Sequence, residues 1–162
     1  MVKLLDTNLY VGSILDSEYF YDENWAIVHA TQTVHYKLCG WNGTTTKPNK
    51  NHKNYICYED KNRLSLNWVE GKPQLYKLSG TEIFNRVLDF IDKWIEEKKV
   101  LVHCDQGFSR SPSLCLLYLS KRANVISKAS FEEARRDFVK IYPEYNPRGL
   151  ANFIKNNWND LR

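Results

Sequence analysis

Apolar residues come in short runs through the first part of the chain and at helical spacing later. NLYVGSIL (8–15) and NWAIVHAT (24–31) are β-rich apolar runs bounded by polar residues, which predicts two strands with a helix or turn between them. From Gly40 to Asn54 the pattern dissolves into GWNGTTTKPNKNHKN. Asn42-Gly43 signals a turn and Pro48 forbids a central strand, so an exposed loop is expected there. Residues 42–54 read more readily as a tolerated surface insertion than as a substrate-recognition loop. NRLSLNWVEG (62–71) restores alternation and predicts a strand that ends in a loop, EGKPQLYKLSG.

Helical periodicity then takes over. Ser79 and Glu82 have the S-x-x-E spacing of a capping box, and Ile83, Val87, Phe90, Ile91 and Trp94 recur at intervals of three or four. EEKK closes that predicted helix. VLVH (100–103) is a continuous apolar run of the kind buried on both faces of a parallel sheet. Beyond a glycine-containing turn, Pro112 suits a first helical turn and LCLLYL (114–119) continues as a buried helix. Ser130 and Glu133 repeat the capping spacing ahead of Phe131, Ala134, Phe138 and Ile141, and a last amphipathic segment carries Leu150, Phe153, Ile154 and Trp158. The order predicts an α/β fold, a mostly parallel central sheet flanked by helices, with a site at the carboxyl end of VLVH.

Composition narrows the class. A chain of 162 residues fits one domain, 1–162, with a core that needs no disulfide or metal staple. The net charge of +4 is mild and its lysines and arginines are scattered, so neither a nucleic-acid nor a membrane partner is implied. Asp6, Asn8 and Asp16 interrupt the N-terminus before a signal peptide could form, and LCLLYL is far too short to span a bilayer. Cys39, Cys57, Cys104 and Cys115 show no CxxC pair and no regular spacing. A cytoplasmic monomer without metal or cofactor is the expectation.

The chemistry concentrates in HCDQGFSRS, residues 103 to 111. A strand ending at His103 and a helix beginning near Arg110 force the amides of Asp105, Gln106, Gly107, Phe108 and Ser109 into a tight arc. Inward N–H groups, together with the positive end of the following helix, make a nest for a tetrahedral oxyanion. Gly107 lets the chain turn, and Arg110 can add two parallel hydrogen bonds to phosphate oxygens, which lysine cannot. In that field the Cys104 thiol is expected to ionise and attack phosphorus, forming a phosphocysteine that water hydrolyses. Ser111 could hydrogen-bond the sulfur and help it leave.

A leaving group also needs an acid, expected on a loop ahead of the helix that feeds VLVH. Glu70, at the end of LNWV, is the first candidate and Asp60 the alternative. Asp89 and Asp92 belong to an amphipathic helix and read as solvated carboxylates.

These residues resemble the cysteine-dependent dual-specificity protein phosphatases, whose signature is His-Cys, five residues, arginine, then serine or threonine. The resemblance covers nearly the whole chain: NLYVGSI is similar to the family's opening strand, LSLNWVEGKP to its general-acid loop, and IYPEYNPRGLANFI to its closing segment. It implies Cys104 as nucleophile, Arg110 as phosphate clamp, Ser111 as thiolate helper and Glu70 at the acid position. The family usually has aspartate there, one methylene shorter. His103 is expected to order the loop by hydrogen bonds, while His29 and His35, near a strand end, read as structural before catalytic.

The expected function is hydrolysis of phosphotyrosine, and of phosphoserine or phosphothreonine, on proteins. An RNA 5′-triphosphatase and a phosphotyrosine-binding module with little turnover are the alternatives. A phosphoinositide phosphatase fits less well, because Asp105 would repel a highly anionic head group.

Overall fold

The computed structural model describes residues 1–42 and 48–162, so Gly43 to Lys47 of the expected 42–54 loop lie outside the described residues. Its centre is the run that the sequence marks as buried on both faces. β6 (Lys99–His103) is flanked by β2 (Leu9–Gly12) and β3 (Trp25–His29), both parallel to it, and β5 (Arg63–Leu66) continues the parallel set beside β3. Two antiparallel edges complete the sheet: β1 (Val2–Lys3) on β2 and β4 (Cys57–Asp60) on β5, giving the order β1-β2-β6-β3-β5-β4. The sheet is therefore mixed at its edges and parallel in the middle. Gly12 and His29 both register with His103, so three strand ends converge where the chemistry is expected.

Helices cover both faces. α1 (Gln32–Cys39) follows β3, α2 (Pro73–Ile95) links β5 to β6, and α3 (Arg110–Lys121) leaves β6. α4 (Phe131–Ile141) and α5 (Leu150–Asn156) close the layer that holds α3. Residues 110 to 120 of α3 are all buried, because the helix packs on β6 and β2 and against α2 and α4. The apolar run LCLLYL thus has partners on every side. Ser130 caps α4 through its hydroxyl, which accepts the Glu133 N–H at 3.2 Å.

Three local expectations are corrected. The expected loop after Glu70 becomes helix at Pro73, a residue suited to a first turn because it has no N–H to leave unsatisfied. The capping box of Ser79 and Glu82 does not form. Gly80, at φ 61° and ψ 175°, interrupts α2, and the buried Ser79 hydroxyl instead accepts the Trp68 indole N–H at 2.7 Å and donates to Leu75 O at 2.9 Å. Trp68 is fully buried against Tyr76 and Phe84, so this bond anchors the residue two before Glu70. His35 lies on α1 rather than a strand end; its ring bonds Ser65 Oγ at 2.7 Å and Asn54 O at 2.9 Å, and burial pushes its pKa down.

Candidate active site

The turn from β6 into α3 is held from outside by its carbonyls. Asp105 O accepts the Ile14 N–H at 3.2 Å, Gly107 O the Tyr142 hydroxyl at 2.8 Å, and Phe108 O the Asn146 N–H at 2.8 Å. With the carbonyls turned outward, the N–H groups face the other way. Among the described residues, no protein acceptor takes those of Asp105, Gln106, Phe108 or Ser109. The Gly107 N–H points at Cys104 Sγ, 3.3 Å away. Ser109 occupies the N-cap of α3, yet its hydroxyl donates to Pro147 O at 2.9 Å instead of capping the helix. Unspent amides and an uncapped helix N-terminus together make an anion cradle.

Gly107 is required twice over. Its φ of 81° is left-handed, and a Cβ there would come within 3.1 Å of Gly12 O. Phe108, in contrast, turns its ring outward and is 40% exposed, so only its amide belongs to the cradle. Cys104 sits inside, 2% exposed, with Ser111 Oγ 3.1 Å from its sulfur. Ser111 Oγ also lies 3.2 Å from Gly12 O, to which it can donate.

Arg110 is buried, and its guanidinium is oriented by main chain. Nη1 donates to Trp68 O at 3.0 Å and to Ala30 O at 3.3 Å, and Nη2 donates to Asp105 Oδ2 at 3.1 Å. That leaves Nε without a hydrogen-bond partner although it is buried. Glu70 Oε2 stands 3.5 Å from it, an ion pair without hydrogen-bond geometry. Nε and the second Nη2 hydrogen form the side-on fork that suits two oxygens of a phosphate. Asp105 is itself gripped. Burial acts to raise its carboxyl, but the Thr31 hydroxyl at 2.6 Å and the Arg110 guanidinium outweigh that and hold it below the ordinary carboxylate range.

Behind the cradle, His103 Nε2 lies 2.6 Å from His29 Nδ1, and both rings are fully buried beside Phe20. With His103 Nδ1 donating to Cys104 O at 3.4 Å, its Nε2 is the acceptor and His29 Nδ1 the donor. Burial drives His103 down to about 4 and His29 well below its ordinary value, so both stay neutral near pH 7. Burial pushes the other thiols up, Cys39 and Cys57 to about 11 and Cys115 well above its ordinary value.

The structure brings Cys104, Arg110, Ser111, His103, Asp105 and Glu70 together. It does not bring Asp60, the alternative acid: Asp60 pairs with Arg63 at the start of β5, the sheet end away from His103. Asp89 and Asp92 instead hold Arg122 on the helical face. Thr31 and the carbonyls of Ala30 and Trp68 carry no sequence pattern of their own, and Tyr142 and Asn146 lie in the closing segment IYPEYNPRGLANFI without their bonds to the turn being legible there. Among the described residues no cluster of three His, Cys, Asp or Glu side chains forms a metal site, and no helix is long and apolar enough to cross a membrane.

Residues 19–146 match the family model of the dual specificity phosphatase catalytic domain. The chain belongs to that family. Over 67 residues, 41% of the chain, it is 40% identical to Dual specificity protein phosphatase 5 of Rattus norvegicus, and the match covers 17% of that protein. Solved structures share its fold. The Yvh1 phosphatase domain from Chaetomium thermophilum superposes with a TM-score of 0.60 at 16% identity, covering 97% of this chain and 94% of that one. The human tyrosine phosphatase-like serine/threonine/tyrosine-interacting protein does so with 0.57 at 16%, covering 92% and 89%.

Proposed function

We propose that the chain is a cysteine-based protein phosphatase acting on phosphotyrosine, and on phosphoserine or phosphothreonine, through a phosphocysteine intermediate, with residues 1–162 as its catalytic domain. The observation that carries this reading is the cradle: the turn that begins at Cys104 holds four amides without protein acceptors among the described residues, the Gly107 N–H lies 3.3 Å from Cys104 Sγ, and the buried Arg110 Nε has no hydrogen-bond partner. A dianion would satisfy all of these donors at once, and they are fixed before it arrives. The family match favours neither the RNA 5′-triphosphatase nor the binding-module reading.

The steps follow from position. The phosphate seats on the amides of residues 105–109 and on the Nε and Nη2 fork of Arg110, placing phosphorus over Cys104. Sγ attacks in line; the S–P bond forms as the bond from phosphorus to the substrate oxygen breaks. Glu70 gives its proton to that oxygen. A water then attacks phosphorus and passes a proton back to Glu70, the S–P bond breaks, and orthophosphate leaves. The Ser111 hydroxyl supports the departing thiolate.

The test is turnover of an aryl phosphate and of matched phosphopeptides by the wild-type chain and by Cys104→Ser. The variant should bind vanadate or phosphate and turn over neither substrate. Undiminished hydrolysis in Cys104→Ser would refute the nucleophile, and with it the intermediate.

A further inference from the structure

The cradle contains one glycine, and the peptide plane after it is the least restrained by its own residues. Gly107, at φ 81°, accepts a wide range of ψ, so its own conformation does not decide which way that peptide faces. In a trans peptide the C=O and N–H point opposite ways, and the direction of Gly107 O therefore sets the direction of the Phe108 N–H. That N–H has no protein acceptor among the described residues and belongs to the cradle.

The restraint comes from the end of α4. Asp105 O and Phe108 O are held by the main-chain N–H groups of Ile14 and Asn146, but Gly107 O is held by a side chain, the Tyr142 hydroxyl at 2.8 Å. Tyr142 is itself fixed. It follows the last residue of α4, its N–H donates to Phe138 O at 2.8 Å, and its ring is buried beside that of Phe138. Burial pushes its phenol up to about 12, so the hydroxyl keeps the proton it donates throughout the neutral range. The same oxygen would stand 3.6 Å from a Cβ at position 107, so it lies directly against the turn.

We infer that Tyr142 is a positioning residue for the phosphate: by holding Gly107 O outward, its hydroxyl fixes the 107–108 peptide with the Phe108 N–H toward the anion. The inference rests on the phosphatase reading and adds to it a residue from outside the turn. Tyr142 acts through one amide of the cradle, not on the reacting atoms.

The experiment is a vanadate titration of the nitrogen-15-labelled chain, followed by its amide chemical shifts, in the wild type and two variants. Tyr142→Phe removes the hydroxyl and keeps the ring. Ser130→Ala removes the cap of α4 and keeps the hydroxyl, which controls for a loosened helix. Circular dichroism confirms the folds. In the wild-type chain vanadate should move the Phe108 amide proton downfield as that N–H gains an acceptor. Tyr142→Phe should shrink the shift and weaken vanadate about tenfold, short of the 10²–10³ lost when a preorganised donor is removed outright, with kcat/KM on an aryl phosphate falling in parallel. Ser130→Ala should match the wild type in affinity and in shift. Wild-type affinity and shift in Tyr142→Phe, or an equal loss in Ser130→Ala, overturns the positioning role. So does a wild-type chain whose Phe108 amide stays put as vanadate binds, a result that needs no variant to fold. Aryl phosphate turnover by the wild-type chain reads the catalytic proposal separately: if it proceeds while Tyr142→Phe is indifferent, only the positioning role fails, and a wild-type chain that neither binds vanadate nor turns over aryl phosphate refutes both.

Discussion

Glu70 Oε2 and Arg110 Nε stand 3.5 Å apart, so the candidate acid rests on the donor that a phosphate would take. A dianion entering the fork takes the place of the Glu70 carboxyl group at Nε, and Glu70 serves the leaving oxygen in its protonated form. Glu70→Gln keeps the shape and loses the proton. Turnover of alkyl phosphates should drop by about 10²–10⁴, the usual worth of a general acid, while an activated aryl phosphate should lose far less. Initial rates on the two substrates decide it; equal losses would remove Glu70 from the acid role.

Arg110 offers a harder constraint. Its guanidinium satisfies Trp68 O, Ala30 O and Asp105 together, and a lysine ammonium cannot span those three and still present a fork. Arg110→Lys should lower kcat/KM by on the order of 10²–10³ and weaken vanadate binding in parallel. It should also lower the unfolding midpoint, because the Trp68 and Ala30 carbonyls and the Asp105 carboxylate lose donors that one ammonium cannot replace together. Unchanged vanadate affinity would mean that the fork does not face the anion.

Most of what positions this site is legible in the sequence, and the exceptions have two causes. VLVH, the glycine turn and the apolar run of α3 are local patterns, and they place Cys104, Gly107 and Arg110 where the structure has them. The two-residue β1 and the exposed-edge β4 are too short or too polar for alternation to register. Ser79 and Glu82 have correct capping spacing, yet a partner eleven residues earlier, the Trp68 indole, takes the serine. The Tyr142 hydroxyl on Gly107 O and the Thr31 hydroxyl on Asp105 are likewise contacts of high sequence separation. Pattern along a chain cannot report a partner that only folding supplies.

Ser111 Oγ reaches both Cys104 Sγ and Gly12 O, so its proton can serve either. In the second chemical step it belongs on the departing sulfur. Removing a hydrogen bond to a charged group costs roughly 2 kcal/mol, so Ser111→Ala should slow phosphocysteine hydrolysis by tens of fold and formation by less. The signature is a pre-steady-state burst of phenol that grows in the variant. A variant that slows both steps alike, with no burst, would assign Ser111 to holding the loop.

The His29–His103 pair adds a pH dependence to stability. Burial holds His103 at about 4 against an ordinary 6.5, and His29 moves in the same direction. Between those values the unfolded chain binds protons that the folded one refuses, so stability rises with pH there and falls as pH drops from about 6.5 toward 4. The His103 shift alone is worth a few kcal/mol, on the order of 1.4 per unit. Asp105, held below its ordinary value, adds a loss of the same sign only at more acid pH, around and below 3.8. Urea unfolding at pH 7.5, 6 and 5 should show the decline. His29→Leu should be less stable at pH 7.5, because His103 Nε2 loses its donor, and its stability should fall less steeply on acidification. A variant with the wild-type slope would show that His29 titrates alike in both states, contrary to its burial.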